Sequence, residues 1–277
     1  MKRFRRLTRP VVLSGRGLHS GADCSCVIEP SETGLSLSAG GGPDIPLYLL
    51  ALAGDGRGSD CIFPDGTRIR TCEHVLAALA GTGVWCASIR VEGPEMPALD
   101  GCALEAAEQI FECSEQAHGP APLDLPFAVK VGDTERFVAA FPASNLALTC
   151  VVSYDSPFIG SQIFDFKGGA ECFLKEIAPA RTFAKASELE TLREQGMALG
   201  GTSENAILVG EDGVRAKGGL RWSDEFVRHK VLDLIGDLAV LGRPLNAHVV
   251  AVRGGHSLHL RLAERLKALA GPSGHSS

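Results

Sequence analysis

The segment Asp224-Glu-Phe-Val-Arg-His229-Lys-Val-Leu-Asp233-Leu-Ile-Gly-Asp237 constrains the fold more than any other stretch of the chain. Val227, Val231, Leu234, Ile235 and Leu238 recur at helical spacing and read as a face turned toward a core. Ser223 is the expected N-cap, and Gly242 and Pro244 the expected stop. The same helix repeats an ionisable residue at i, i+4 and i+8, namely His229, Asp233 and Asp237. At about 3.6 residues per turn these side chains share one stripe. Ion-paired surface stripes usually alternate an acid with Lys or Arg, and this one does not. An imidazole and a carboxylate one turn apart can ligate one divalent metal. The plainer alternative is a solvated or hydrogen-bonded helix face.

Such a helix needs a core to face. With 277 residues and 45% hydrophobic content, the chain can build one large domain or two small ones. Net charge is −6 and no basic run stands out, so nucleic acid is not an expected partner. The basic start Met-Lys-Arg-Phe-Arg-Arg is followed by no apolar stretch, so no secretory signal is expected. No window approaches about 18 consecutive apolar residues, so no membrane span is expected. The nine cysteines are odd in number and contain no C-x-x-C pair. They read as reduced, mostly buried thiols of a cytoplasmic protein. Cys24 and Cys26 would point the same way on a strand, and a cysteine-built zinc site lacks its second close pair.

The pattern mixes short strands with a few long helices. Strands are expected at Val11–Leu13 and around Cys26–Ile28, split by the turn Ser14-Gly-Arg-Gly-Leu-His19-Ser-Gly21. Thr71 is the expected N-cap of a helix that Gly81 and Gly83 end. A strand at Ala87–Glu92 and a helix at Leu104–Phe111 follow. His118-Gly-Pro-Ala-Pro122 is the expected linker. Beyond it, strands are expected at Phe127–Val131, Phe137–Phe141, Leu146–Val152, Ala206–Val209 and Ala247–Val252. Helices are expected near Ala186–Glu194 and at Leu258–Leu269, with Gly271–Ser277 a disordered tail. No sequence repeat is clear, yet two α+β halves, 1–117 and 123–270, are the economical reading.

Four constellations carry chemistry. Glu73-His74 stands on a first helical turn, where neighbouring side chains diverge by about 100° and can border one cavity. A histidine there can ligate a metal while the carboxylate handles a water, although an ordinary first turn would look the same. His74 with His229 and Asp233 gives three protein ligands and an open position, the count of a catalytic rather than a structural zinc site. Asp237 is then the surplus acid, suited to orienting a histidine. The roles of Asp233 and Asp237 can be exchanged; the i, i+4 spacing from His229 favours Asp233 as ligand. His256, after a strand and the Gly254-Gly255 pair, can serve as a general acid if a carboxylate partners it. In Pro179-Ala-Arg-Thr-Phe183, the Thr182 hydroxyl can donate to an oxyanion and Phe183 can cover a base or sugar, while a plain turn is the alternative. Among the remaining histidines, only His19 in its glycine-rich turn suggests a role; His118 and His275 read as exposed, His248 as a strand residue and His259 as a helix-face residue.

Together these stretches resemble the UDP-3-O-acyl-N-acetylglucosamine deacetylases, the zinc amidases of lipid A biosynthesis. The matching blocks are Gly15–Gly21, Thr71-Cys-Glu-His-Val-Leu-Ala-Ala-Leu-Ala-Gly81, Pro97-Ala-Leu-Asp-Gly101, Ala180-Arg-Thr-Phe183, Leu199–Ile207, Asp224–Asp237 and Gly255-His256, in the family's order. The resemblance implies His74, His229 and Asp233 as zinc ligands, with Fe2+ also suited to such a site, and Glu73 as general base. It implies His256 as general acid oriented by Asp237, and Thr182 beside the oxyanion. Lys230 and Phe183 would lie along the substrate. It implies an α+β fold of two similar domains with helices between two outer sheets and the site at their junction. An insert in the second domain, roughly 158–183, would form an apolar passage for the acyl chain. The implied reaction is hydrolytic removal of acetate from UDP-3-O-acyl-N-acetylglucosamine, the committed step of lipid A biosynthesis, by a cytoplasmic monomer. Alternatives are a related metal amidase on another N-acetylated sugar, or a non-catalytic binding protein on the same fold. Cys72, the run Gly101-Cys-Ala-Leu-Glu105 and Ala184-Lys185 depart from the family's usual residues and bear on acyl-chain preference. With a net charge of −6, a UDP-sugar needs local cations, expected from Lys230 and from Arg181 or Arg253.

Overall fold

The computed structural model describes residues 4–54 and 57–270. In the first half, β1 (Phe4–Leu7), β2 (Val11–Arg16), β3 (Asp23–Pro30), β4 (Leu35–Ala39), β5 (Ile45–Pro46), β6 (Ala51–Gly54), β7 (Ser59–Ile62) and β8 (Arg68–Ile69) lead to helix α1 (Glu73–Thr82). β9 (Ala87–Glu92), α2 (Leu104–Glu112) and β10 (Ser114–Ala117) follow, and β10 returns to pair with β1. The second half holds β11 (Leu123–Asp124), β12 (Val129–Gly132), β13 (Phe137–Pro142), β14 (Ala147–Ser153), β15 (Ser161–Phe166) and the short α3 (Ala170–Cys172). It continues with β16 (Phe183–Lys185), α4 (Leu189–Glu194), β17 (Ile207–Val209), β18 (Val214–Arg215), α5 (Glu225–Ala239), β19 (Leu245–Val252) and α6 (His256–Ala270).

A repeat that the residues hide is plain in the topology. One main sheet runs β2-β3-β9-β4-β5 and the other β12-β13-β19-β14-β15. In each, an antiparallel hairpin pairs with a late strand, β9 or β19, which lies parallel to β4 or β14. Parallel neighbours need a long crossover, and α1 and α5 lie in those two crossovers. Each half also inserts a small three-stranded sheet before its crossover helix, β6-β7-β8 or β16-β17-β18. The range expected for the second insert, roughly 158–183, instead holds the edge strand β15 and α3; the unit standing off the main sheet is Phe183–Arg215. That placement rested on the family resemblance, and no pattern of turn residues marks the boundary.

Strand alternation turns one face of each sheet inward. Cys24, Cys26 and Ile28 on β3, and Leu245, Ala247, Val249 and Ala251 on β19, are buried, every second residue. The helices fill the space between the sheets, α1 beside α2, α5 beside α6, and α1 against α5. A single apolar cluster runs through both sheets and these helices. α1 and α5 approach closely at Gly236, where a Cβ would stand 1.9 Å from the Glu73 carbonyl oxygen. Only glycine permits that contact, and it brings the start of α1 against the middle of α5.

Several local expectations change. Every residue of α5 except Arg228 and Lys230 is buried, so its polar stripe is not a solvated face. Ser223 does not cap it; Asp224 occupies that position and spends its carboxylate on Arg228 Nε at 2.7 Å. Thr71 does not cap α1 either. It adopts φ +54°, donates its hydroxyl to Glu95 at 2.8 Å, and leaves Cys72 as the cap residue. Gly81 lies inside α1, where the Phe173 ring leaves no room for a Cβ, and Gly83 ends the helix with φ 88°. His256, which follows the Gly254-Gly255 pair, is the first residue of α6, two residues before the expected start at Leu258. The expected tail and His275 lie outside the described residues. The linker His118–Pro122 has no regular structure. All nine cysteines are free thiols, and no helix among the described residues is long and apolar enough to cross a membrane.

Candidate active site

Three acceptors converge where α1 meets α5. His74 Nε2 and His229 Nε2 face the same oxygen, Asp233 Oδ1, at 3.7 and 3.3 Å. His229 Nδ1 donates to the Ala180 carbonyl at 3.0 Å, which leaves the lone pair on Nε2. Burial pulls the His229 pKa down to about 3, so this ring is neutral, as a metal ligand must be. Asp233 Oδ2 accepts from Lys230 Nζ at 2.7 Å, whereas Oδ1 is buried without a hydrogen-bond partner among the described residues. His74 Nδ1 is likewise buried without such a partner. A donor atom from each of His74, His229 and Asp233 lies within 4.8 Å of the others. Buried acceptors aimed at one another are costly unless a cation lies between them.

The electrostatics agree. Burial alone would raise the Asp233 carboxyl, yet its electrostatic and hydrogen-bonding neighbours, the cations Lys230 and His256 foremost, outweigh it and hold Asp233 well below the carboxylate range. Burial would likewise lower His74, yet Asp233 and Glu73 outweigh it and raise it. The pocket therefore attracts positive charge. Two imidazoles and a carboxylate that leave coordination open suit zinc and, equally, iron(II).

Glu73 and the His256 pair flank this triad. Glu73 is buried, its Oε2 accepts the Ser59 N–H at 2.9 Å, and burial pushes its pKa up to about 7. Asp237, one turn along α5 from Asp233, accepts from His256 Nδ1 at 2.9 Å, from His259 Nδ1 at 2.7 Å and from the Ser59 hydroxyl. Those donors hold its carboxyl far down against burial. Burial works against the charged His256 ring, but Asp237 and Asp233 outweigh it and push its pKa up to about 10. His256 Nε2 stands 3.7 Å from Asp233 Oδ2, so the ring's free end points at the triad. Asp237, His256 and His259 also cluster tightly enough to hold an ion. There, however, the ring nitrogens facing the carboxylate are donors, so no set of lone pairs converges. That geometry separates the two aspartates: Asp233 offers an open oxygen and Asp237 has none. Ser59 and His259 carry no sequence pattern of their own; the only hint is that His259 follows His256 at i+3.

Phe183 stands beside the triad, and Thr182 precedes it at the mouth of a cavity. Thr182 is half-buried, its backbone is fixed between Gly101 and Ile207, and its hydroxyl has no hydrogen-bond partner among the described residues. The Phe183 ring lies edge-on to Phe226 and His229, at centroid distances of 5.0 and 6.2 Å, with Lys230 Nζ 5.3 Å above its face. Two cavities open from here. An apolar one of about 330 Å³ lies in the second insert between Leu18, Thr182, Phe183, Leu189, Leu192 and Ile207. A polar cleft of about 640 Å³ is lined by Lys230, His256, Tyr154, Arg136 and Arg261. His19 borders the apolar cavity and accepts the Ala198 N–H. Arg181 supplies no binding field: it is buried, with Nε 2.8 Å from Glu225 Oε1 and its other nitrogens on the Lys217 and Gly219 carbonyls. Arg253 faces Glu135. The cations lining the cleft are Lys230, which is paired with Asp233, together with Arg136 and Arg261, and of these only Lys230 was expected. His248 meets Thr149 across the sheet, and His118 is exposed.

Converging His and Asp donors with a buried carboxyl near neutrality on one side and a carboxylate-held imidazole on the other are an arrangement suited to metal-dependent hydrolases. The chain is a member of the UDP-3-O-acyl N-acetylglycosamine deacetylase family, whose model matches residues 5–268. It is 37% identical to the UDP-3-O-acyl-N-acetylglucosamine deacetylase of Myxococcus xanthus over 276 residues, covering 97% of this chain and 87% of that protein. The protein of the same name from Chlamydia caviae is 38% identical over 277 residues, covering 97% and 98% of the two chains. That from a Nostoc species is 37% identical over 276 residues, covering 95% and 98%.

Proposed function

We propose that this protein hydrolyses the acetamide of UDP-3-O-acyl-N-acetylglucosamine in the cytoplasm, releasing acetate and leaving the free amine of the UDP-sugar, a step of lipid A biosynthesis. The observation that carries the reading is the convergence of His74, His229 and Asp233 on one buried point between Glu73 and His256. In this reading the halves 1–117 and 123–270 are two domains and their seam is the active site.

His74, His229 and Asp233 would hold zinc, which supplies Lewis acidity at the amide carbonyl and lowers the pKa of water. Glu73 takes a proton from the attacking water as its oxygen adds to the carbonyl carbon. The Thr182 hydroxyl donates to the oxygen on which negative charge develops. His256, its ring held by Asp237, gives its Nε2 proton to the nitrogen as the C–N bond breaks. Acetate leaves, and the sugar keeps the amine. Lys230 and Phe183 line the substrate. The apolar cavity of the second insert takes the acyl chain, and the cleft with Arg136 and Arg261 takes the diphosphate.

Release of free amine from this UDP-sugar by metal-loaded protein tests the reading. Wild type should turn over, and Glu73→Gln should lose about 10²- to 10⁴-fold in kcat. Metal-loaded wild type that releases no amine, or a fully active Glu73→Gln, would sink it.

A further inference from the structure

His259 is a buried imidazole at the edge of the site, and the reaction as written uses no group of it. It stands at i+3 from His256, so both side chains leave α6 on one side. It is 2% exposed. Its Nδ1 donates to Asp237 Oδ2 at 2.7 Å, shorter than the 2.9 Å from His256 Nδ1 to the same oxygen. The two rings stand 6.2 Å apart at 69°, so they reach the carboxylate from different directions. The turn before α6 closes over His259: a Cβ on Gly254 would lie 2.9 Å from Nε2. The ring is thus confined between a backbone turn and Asp237.

A carboxylate's terminal torsion is broad and does not fix itself. Ser59 holds Oδ1, and without His259 the other oxygen, Oδ2, would be held only by His256, the ring it has to orient. A third donor, from a ring that cannot move, removes that dependence.

We propose that His259 is a positioning residue for the hydrolysis: by donating Nδ1–H to Asp237 Oδ2 it fixes the carboxylate that orients His256. The inference deepens the proposed function and rests on it. Its chemical demand is narrow, because the donor must sit where Nδ1 sits. An asparagine amide nitrogen can reach that place, a glutamine overshoots by one methylene, and a leucine has no donor.

Kinetics and proton NMR of His259→Asn, His259→Gln and His259→Leu test it on metal-loaded protein. Leu and Gln should each lose about 10- to 100-fold in kcat with KM unchanged, the usual scale for a group that orients a reacting one. Asn should recover most of that loss. The low-field Nδ1–H resonance of His256 should shift or broaden in the Leu and Gln variants and hold its place in Asn. Should the Leu variant fail to fold, Gln against Asn carries the same comparison. Wild-type kcat in both Leu and Gln, an Asn variant no better than Gln, or a loss expressed in KM alone would overturn the role of His259 while leaving the hydrolase reading intact. An inactive wild type in which the His256 resonance still follows His259 would overturn the reaction and not the positioning.

Discussion

The two halves of the molecule share a topology and bring different things to the site. The first offers the start of a helix: Glu73 and His74 are the opening residues of α1. The second offers the length of a helix: His229, Asp233 and Asp237 run down two turns of α5. One turn of helix places two diverging side chains at a point, and a stripe places aligned ones along a wall. The convergence of His74, His229 and Asp233 with Glu73 and His256 beside them needs both, and the contact at Gly236 joins them. The Glu73 carboxyl shows which physics prevails there. A helix N-terminus stabilises a carboxylate by about 0.3–1 kcal/mol. Burial moves Glu73 the other way, to about 7, a shift worth about 3 kcal/mol, so the buried seam and not the helix end sets its chemistry.

The sharpest way to break the comparison is to separate the two aspartates of α5. Asp233→Ala should leave purified protein without metal and without detectable turnover, because His74 and His229 alone do not complete the site. Asp237→Ala should keep its metal and lose about 10- to 100-fold in kcat. Metal analysis beside the amine-release assay checks both. Metal loss in Asp237→Ala with retention in Asp233→Ala would exchange the roles.

The pH profile asks whether the two halves act as base and acid. Glu73, from the first half, works ionised, and its pKa is about 7; kcat/KM should therefore fall as pH drops below about 7. His256, from the second, works protonated, and its pKa is about 10; activity should fall again as pH rises above about 10. Glu73→Gln should abolish the acid limb and keep the alkaline one. An unchanged acid limb in that variant would remove Glu73 from the role.

Much of this was legible in the chain because helices write their geometry into spacing. The stripe on α5, the Glu73-His74 pair and the apolar face of Val227, Val231 and Leu234 follow from a period near 3.6. What was not legible depends on contacts far apart in sequence. Ser59 meets Asp237 across 178 positions, and Thr71 gives its hydroxyl to Glu95 rather than to the helix it precedes. Arg181, expected as a cation for the UDP-sugar, is instead tied to Glu225, 44 positions away. The duplicated topology was hidden for the same reason: strand order is set by pairing, and strands as different as β3 and β13 satisfy it with unrelated residues.

The smallest expected effect separates the two inserts. Both are three-stranded sheets placed before a crossover helix, yet β7 of the first carries Ser59 into the site, while the second walls an apolar cavity with Leu189, Leu192 and Ile207. If the second insert alone holds the acyl chain, Leu189→Phe should shorten the chain it accepts. Each methylene that no longer fits costs about 0.8 kcal/mol, about a fourfold rise in KM, with kcat unchanged. A substrate with a chain short enough to stop before Leu189 should show no change. Leu52→Phe, in the first insert, should leave chain-length preference as it was, because Leu52 packs against the core and lines neither cavity. KM measured over a series of acyl lengths decides between them. A Leu189→Phe profile that overlays wild type would move the acyl chain out of this cavity and leave the second insert, like the first, a support for the site.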